Sequence, residues 1–183
     1  ILWVFAAFCM FILLRDKQFD RKQLWNFLPL LSVWKEILLR FLISFVFFAV
    51  CVYVFMPEHL FRLVKTHPLL WMAIMILYPV FSVYPQELIY RVYFFHRYRN
   101  LFRGKWLMIA MSALAFGYMH LIFQNWIAVV LTILGGWLFA ASFYRYKSTS
   151  LVFWEHALYG CLVFTVGLGQ FFYMGSVMAR MGS

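Results

Sequence analysis

Long apolar runs separated by short polar segments make up most of the chain. A helix needs about 20 apolar residues to span the hydrocarbon core of a bilayer. Most of the runs approach this length, so the pattern predicts a series of membrane-spanning helices, with a shortened one at the start. The predicted spans are Ile1–Leu14, Ile37–Met56, Leu69–Tyr84, Gln86–Arg103, Trp106–Phe123, Trp126–Phe143 and Ser150–Tyr173.

Prolines and charges set the number of predicted helices. Pro79 and Pro85 cannot extend a helix regularly and predict a break after Leu69–Tyr84. The next stretch, Gln86–Arg103, is apolar but carries several charged side chains, so it either crosses the membrane or lies half inserted. Pro29 similarly interrupts an interfacial stretch ahead of the second span. The sequence therefore predicts an all-α, polytopic membrane helix bundle of six to seven transmembrane helices.

The start of the chain lies within an apolar run. Ile1 has no initiator Met and no basic region before it, which is unlike a secretory signal peptide. We therefore expect the N-terminus to be truncated, and we expect residues 1–183 to form a single membrane-embedded domain.

Composition excludes several classes of protein. Hydrophobic residues make up 66% of the chain and charged residues 12%, whereas soluble domains carry about 25% charged residues. A soluble enzyme, a disordered chain and a disulfide scaffold are therefore excluded. The cysteines Cys9, Cys51 and Cys161 lie in apolar runs, where thiols behave as small hydrophobes, so they predict neither a disulfide nor a metal cluster. We expect an integral protein of the plasma (inner) membrane of a bacterium.

The formal net charge of +10 does not indicate nucleic-acid binding. The basic residues collect in short loops, a distribution typical of membrane topology and of contact with anionic lipid headgroups. No basic stripe on a soluble surface is predicted, so the expected surroundings are the lipid bilayer, with no nucleic acid as partner.

Polar residues inside the apolar runs are the strongest functional signal. Glu87 and Glu155 are the only acids after Glu58, and each lies within an apolar stretch. His120 lies in a region, residues 106–144, that contains no Lys, Arg, Asp or Glu. A charge at the centre of a membrane helix costs about 2.5–3.5 kcal/mol, so such residues usually pair with one another and mark function.

Spacing predicts which of these groups meet. Glu87 and Arg91 are separated by four residues and share one helical face, acid before base. Glu87 precedes the turn at Gly104 by 17 residues and His120 follows it by 16, so an antiparallel hairpin brings both to the same depth. The same arithmetic places His156 at a depth that differs by about 10 Å.

Three motifs in this region resemble those of the CPBP family, which includes the type II CAAX prenyl endopeptidases and the bacteriocin-processing, Abi-like membrane proteases. The family patterns are E-E-x-x-x-R, F-x-x-x-H and H-x-x-x-N/D. The second pattern is matched fully, whereas the first begins with Gln and the third ends with Gly. The resemblance covers residues 68–173, which we take as the motif-bearing core. The motif residues are Gln86, Glu87, Arg91, Phe116, His120, His156 and Gly160.

The resemblance implies an all-helical intramembrane endopeptidase whose polar residues face a water-accessible cavity. Carried over to this chain, Glu87 and Arg91 are the paired acid and base of the first motif. His120 is the partner of the general base, and His156 is the electrophilic donor. The implied substrate is a membrane-associated peptide or a lipidated, CAAX-type protein tail, cut by water that Glu and His activate.

The departures from the motifs leave alternatives open. Gln86 cannot take a proton from water, so the carboxylate would come from Glu87 turning towards the water, which we favour, or from Glu155. Gly160 supplies no donor, so His156 would share the oxyanion with a neighbour such as Asn125. The residues expected to line the cavity are Gln86, Phe116, Asn125, Glu155 and Gly160.

Other functions and a cofactor are also weighed. The cofactor is either none or one divalent metal such as zinc, and Glu87, His120 and His156 could form an open, three-ligand catalytic site. Alternatively, Gln86 and Gly160 mark a degenerate site in a non-catalytic scaffold or partner-binding protein. A small transporter that uses the polar cluster as a proton relay is a third class. Each histidine could also simply hydrogen-bond a neighbouring helix.

Overall fold

The computed structural model describes residues 1–172, whose regular structure is entirely helical. Within this part of the chain, five helices are long and apolar enough to cross a membrane, and a shorter apolar helix precedes them. The prediction of a polytopic all-α bundle is therefore confirmed, with six apolar helices among the described residues. They are α1 (Leu2–Arg15), α2 (Leu28–Phe55), α3 (Pro68–Arg97), α4 (Lys105–Phe123), α5 (Trp126–Tyr146) and α6 (Thr149–Val166). The short helical segments between or after them are Arg21–Leu24, Pro57–His59, Arg62–Thr66 and Leu168–Phe172.

The predicted break between two spans at Pro79 and Pro85 is wrong, because α3 continues through both prolines. Two π-helical segments, Pro79–Val83 and Leu88–Tyr93, lie within α3. Proline lacks the N–H that would bond the preceding turn, and the wider π turn absorbs this loss without ending the helix. Such π segments inside α-helices are frequent at functional sites; the first precedes the first motif, and the second contains Arg91 of that motif.

Two other helix boundaries differ from the prediction. Pro29 does not interrupt an interfacial stretch but lies in the first turn of α2, where a missing N–H costs nothing. Helix α6 ends at Val166, because Gly167 takes a left-handed conformation with φ of +105°. Tyr173, the predicted end of the last span, lies outside the described residues.

The six helices divide into a central group and two flanking helices. α3, α4, α5 and α6 enclose the polar residues, whereas α1 packs on α3 and α2 packs on α6. Leu39, Ile43 and Phe47 of α2 each expose at least 60% of their surface. Such an outward apolar face suits lipid rather than water, in keeping with an integral membrane protein.

Glycines allow α4 and α5 to pack closely. The side chain of Ile133 on α5 packs directly against Gly117 of α4. Gly136 of α5 packs against the ring of Phe116 and the backbone of Ala113. Small residues at such positions let the backbones of membrane helices approach one another.

Replacing Gly136 with Ala is expected to destabilise the bundle by about 1–3 kcal/mol, the usual cost of overpacking. The added methyl group would lie 3.2 Å from Cα of Ala113, and this backbone atom cannot move aside as a side chain can. Gly135→Ala is the matched control, because its methyl group would meet the Phe139 ring at an ordinary 3.4 Å. Thermal unfolding in detergent measures both variants. Equal midpoints for the two would contradict the close approach of α4 and α5.

Polar contacts join the end of α3 to the segment after α1. Nε2 of His96 lies 2.7 Å from Oδ2 of Asp16, and this hydrogen bond is the main reason why the pKa of Asp16 lies below its usual range. Arg99 also bonds the side chain of Gln18. These groups lie at one end of the bundle and away from the motif residues.

Candidate active site

A cavity of about 220 Å³ lies between α3, α4, α5 and α6. One water needs roughly 10–15 Å³ of such space, so the cavity has room for water together with part of a substrate. Its walls are mainly apolar, with a few polar side chains among them. The lining residues are Tyr78, Ser82, Gln86, Phe116, His120, Phe123, Leu131, Thr132, Gly135, Phe139, His156, Tyr159, Gly160, Val163, Phe164 and Phe172.

Helix α3 presents a polar stripe to this cavity. Tyr78, Ser82 and Gln86 follow one another at intervals of four residues and all line the cavity. Nε2 of Gln86 donates to Oγ of Ser82 over 3.1 Å. Within residues 1–172, Oε1 of Gln86 is buried and has no hydrogen-bond partner. The first motif therefore presents an amide, not a carboxylate, to the cavity.

Glu87, the next residue, lies behind His156 and not on the cavity wall. Its side chain is 0% exposed, and its two oxygens have different partners. Oε1 lies 2.7 Å from Nδ1 of His156, and Oε2 lies 3.2 Å from Nε of Arg91. A single carboxylate thus joins the first motif to the third.

Arg91 completes the buried ion pair and connects α3 to α5. Its Nη2 donates to the carbonyl oxygen of Gly136 over 3.3 Å. Its guanidinium carbon lies 4.5 Å from the ring centroid of Phe116 and 5.5 Å from that of Phe139. Contacts with two aromatic faces help to compensate a cation for the loss of water. Arg91 therefore fixes the carboxylate of Glu87 without reaching the cavity.

His156 stands between the buried pair and the cavity. The carboxylate of Glu87 accepts a hydrogen bond from Nδ1, so Nε2 carries the lone pair. Nε2 lies 3.3 Å from the hydroxyl of Tyr78, which donates to it. The ring stacks on Phe139 at a centroid distance of 4.5 Å, which holds its orientation. A histidine held in this way by a carboxylate is arranged to act as a general base at Nε2.

His120 supplies a second imidazole to the same cavity. It begins the 3-10 turn that closes α4, and its Nδ1 donates to the carbonyl oxygen of Phe116 over 2.7 Å. Nε2 of His120 therefore also carries a lone pair. The Phe116 ring contacts both histidines, with centroid distances of 4.7 Å to His120 and 5.4 Å to His156. Sequence spacing predicted the same depth for Glu87 and His120 and a depth about 10 Å away for His156, whereas in the structure Glu87 hydrogen-bonds His156 directly.

Three of the five expected lining residues, Gln86, Phe116 and Gly160, do line the cavity. Asn125 does not, because its Oδ1 caps α5 by accepting from the backbone N–H of Ile127 at 2.9 Å. Its proposed part in the oxyanion site is therefore wrong.

Glu155 does not line the cavity either. Its carboxylate is 0% exposed, and its Oε1 lies 3.3 Å from Nη2 of Arg40 on α2. Since successive residues of a helix point about 100° apart, Glu155 faces α2 while His156 faces the cavity. The carboxylate that Gln86 lacks is therefore not supplied by Glu155.

Glu87 keeps its pairing with Arg91, so the expected turn of its carboxylate towards the cavity is not observed. The three-ligand metal set is not assembled either. Within residues 1–172, no three His, Cys, Asp or Glu side chains are grouped so that they could hold a metal ion. Glu87 and His156 meet through a hydrogen bond, and His120 is directed to a different partner.

Tyr78 is a cavity residue that the sequence analysis missed. It lies 3.3 Å from His156 although 78 positions separate the two residues in sequence. The available signal was the recurrence of polar residues at positions 78, 82 and 86, which share a face only if the helix continues through Pro79. The predicted break after Tyr84 divides this stripe between two helices, with Tyr78 and Ser82 on one and Gln86 on the next.

Comparison with known proteins agrees with the motifs. A family model described as type II CAAX prenyl endopeptidase Rce1-like matches residues 67–162, slightly more than half of the chain. The matched region contains all three motifs and most of the cavity wall. No curated protein and no solved structure matches the chain.

Proposed function

The chain belongs to the Rce1-like family of type II CAAX prenyl endopeptidases, and from this premise we propose that it hydrolyses a peptide bond of a membrane-associated or prenylated, CAAX-type protein or peptide. At the level of the family it is an intramembrane protease. The single observation that supports the finer proposal is the Glu87–His156 pair, whose imidazole lies on the wall of a cavity large enough for water and part of a peptide segment.

In this proposal His156 is the general base. Nε2 of His156 takes a proton from a water molecule while the water oxygen bonds to the carbonyl carbon of the scissile bond. Glu87 stabilises the imidazolium that forms and keeps Nδ1 protonated. The imidazolium then donates its proton to the leaving nitrogen as the C–N bond breaks. Glu87 thus acts through His156, whereas the sequence-based assignment gave it direct contact with water.

His120 has a second role in the same cavity. Its Nε2 lone pair accepts a hydrogen bond from the attacking water and so orients the water oxygen towards the substrate. The backbone carbonyl of Phe116 holds the ring in the tautomer that makes this possible. His120 is partly exposed, so solvent can reach it.

The apolar part of the cavity supports a lipidated substrate. Phe123, Val163 and Phe172 line it together with the polar groups. An apolar prenyl chain can lie against such walls without burying an unpaired polar group. We propose the plasma membrane of a bacterium as the location, and residues 1–183 as one membrane-embedded domain whose motif-bearing core spans residues 68–173. Tyr173 lies outside the described part.

Cleavage of a farnesylated CAAX peptide by the purified chain in detergent tests the proposal. We expect the wild type to release a shorter peptide, and we expect His120→Gln to lower kcat/KM by about 10²-fold, because the variant loses the imidazole that orients the attacking water. His67→Gln is the control, because His67 is exposed and lies outside the cavity. Equal loss in both variants, or none in His120→Gln, would exclude this role for His120.

A specific observation also favours a second candidate, a partner-binding protein with a degenerate site. Gln86 presents an amide to the cavity, and none of the lining residues within 1–172 is an acid. Gln86→Glu distinguishes the two functions. Cleavage that appears only in Gln86→Glu would indicate a decayed enzyme, whereas cleavage by the wild type would indicate that the Glu87–His156 pair suffices.

A further inference from the structure

Tyr78 is held against His156 by contacts on several sides. Its hydroxyl lies 3.3 Å from Nε2 of His156. Its ring meets the rings of His156 and Phe164 edge-on, with centroid distances of 6.3 Å and 5.4 Å. Both Tyr78 and His156 line the cavity. A phenolic O–H is thus fixed beside the nitrogen that we assign as the general base.

The same hydroxyl occupies the space next to Gly160. A Cβ atom added at Gly160 would collide with the ring and the hydroxyl oxygen of Tyr78. Tyr78 and a side chain at position 160 therefore exclude each other. The third motif has a polar side chain at this position in its family pattern, whereas in this chain the polar group next to the backbone of residue 160 is the hydroxyl of Tyr78.

We propose that Tyr78 is a catalytic residue whose hydroxyl hydrogen-bonds the carbonyl oxygen of the scissile bond as that oxygen becomes an oxyanion. The inference rests on the proposed function and adds a residue that none of the three motifs contains. Hydrogen-bond donors aimed at an oxyanion stabilise the transition state more than the ground state.

Each hydrogen bond that is broken when the substrate binds is replaced by a new one. In the resting site the Tyr78 hydroxyl donates to Nε2 of His156. When the attacking water donates to Nε2 instead, the Tyr78 O–H becomes available to the carbonyl oxygen of the substrate. Tyr78 keeps its proton throughout, since the proton that moves passes from water to His156 and then to the leaving nitrogen.

Tyr78→Phe tests this role with the farnesylated CAAX peptide as the probe. The variant keeps the ring and removes only the hydroxyl. We expect kcat to fall by about 10²–10³-fold with KM nearly unchanged, as for the loss of one oxyanion donor. Tyr84→Phe is the matched control, because Tyr84 lies on the same helix and packs on Trp3 and Phe153, outside the cavity. Unchanged kcat, or a change in KM alone, would overturn the inference.

A rescue experiment separates a donor from a merely structural hydroxyl. Tyr78→Ala vacates the space beside Gly160, and Gly160→Asn in the same chain fills it with an amide that can donate. We expect the double variant to recover at least about tenfold in kcat over Tyr78→Ala, a fraction of what one such donor contributes. No recovery in the double variant would mean that an amide at position 160 cannot replace the Tyr78 hydroxyl, and would contradict the role of that hydroxyl as a donor.

The two proposals fail in distinguishable ways. If the wild type cleaves the peptide and Tyr78→Phe cleaves it equally well, only the role of Tyr78 is overturned. If the wild type does not cleave the peptide, both the proposed function and the role of Tyr78 are overturned.

Discussion

His156→Gln is expected to abolish most of the cleavage of a prenylated CAAX peptide, with a fall in kcat of about 10²–10⁴-fold. Glutamine keeps much of the volume of the side chain and a group that can bond Glu87, but it cannot take a proton from water. The expected loss is therefore chemical and not structural. Steady-state kinetics of the purified variant in detergent measures it, with KM reported separately from kcat.

His59→Gln serves as the control for this variant. His59 lies in the turn between α2 and α3, and its partner is the exposed carboxylate of Glu58. Cleavage by His156→Gln at the wild-type rate, with the variant still folded, would mean that the base lies elsewhere. His120 would then be the remaining imidazole on the cavity wall within residues 1–172.

Arg91→Leu is expected to destabilise the folded chain by about 3–5 kcal/mol, the cost of breaking a buried ion pair by removing one partner. Arg91 and Glu87 are both 0% exposed, so the carboxylate of Glu87 would lose a charged neighbour without gaining water. Arg91 also donates to the backbone of α5, and this bond would be lost too. Chemical or thermal unfolding in detergent measures the change.

Two further variants make this prediction specific. Arg97→Leu on the same helix is the control, because Arg97 is exposed and its removal leaves no buried charge without a partner. The double variant Glu87→Leu with Arg91→Leu should recover part of the stability, since it leaves no unpaired buried charge. It should remain inactive, because His156 has lost its carboxylate. Equal stability of Arg91→Leu and Arg97→Leu would contradict the buried pair.

Hydropathy predicted the helices because lipid imposes a simple rule. Backbone N–H and C=O groups must bond one another inside the bilayer, so a long apolar run becomes a helix. The runs beginning at Trp106 and Trp126 became α4 and α5 with starts within one residue of the prediction. The motifs likewise placed Gln86, Phe116, His120 and His156 around one site, and all four line the cavity.

The path of α3 could not be read from residue types. A proline within an apolar run either ends a helix or is absorbed by a local change of hydrogen bonding, and neighbouring helices decide between these outcomes. In this chain Pro79 begins a π segment. Because the helix continues, Tyr78 and Gln86 lie on the same wall of the cavity. Neither helix propensity nor residue spacing predicts this placement.

The directions of the two buried acids also depended on tertiary structure. Glu87 is adjacent in sequence to Gln86, and only the turn of α3 decides which of them faces the cavity. Glu155 pairs with Arg40, which lies 115 positions earlier in sequence; Nη2 of Arg40 is 3.3 Å from Oε1 of Glu155. The sequence indicated that each acid needs a partner, because lipid does not solvate a lone carboxylate, but it could not identify the partner.

Mass spectrometry of a farnesylated CAAX peptide, incubated with the wild-type chain in ¹⁸O-labelled water, tests the central claim most directly. The account predicts a cut at one peptide bond, with a single ¹⁸O atom in the new carboxyl group of the prenylated fragment. It also predicts that His156→Gln yields almost none of this product in the same time. An intact peptide after incubation with the wild type would contradict the claim that this cavity activates water for proteolysis.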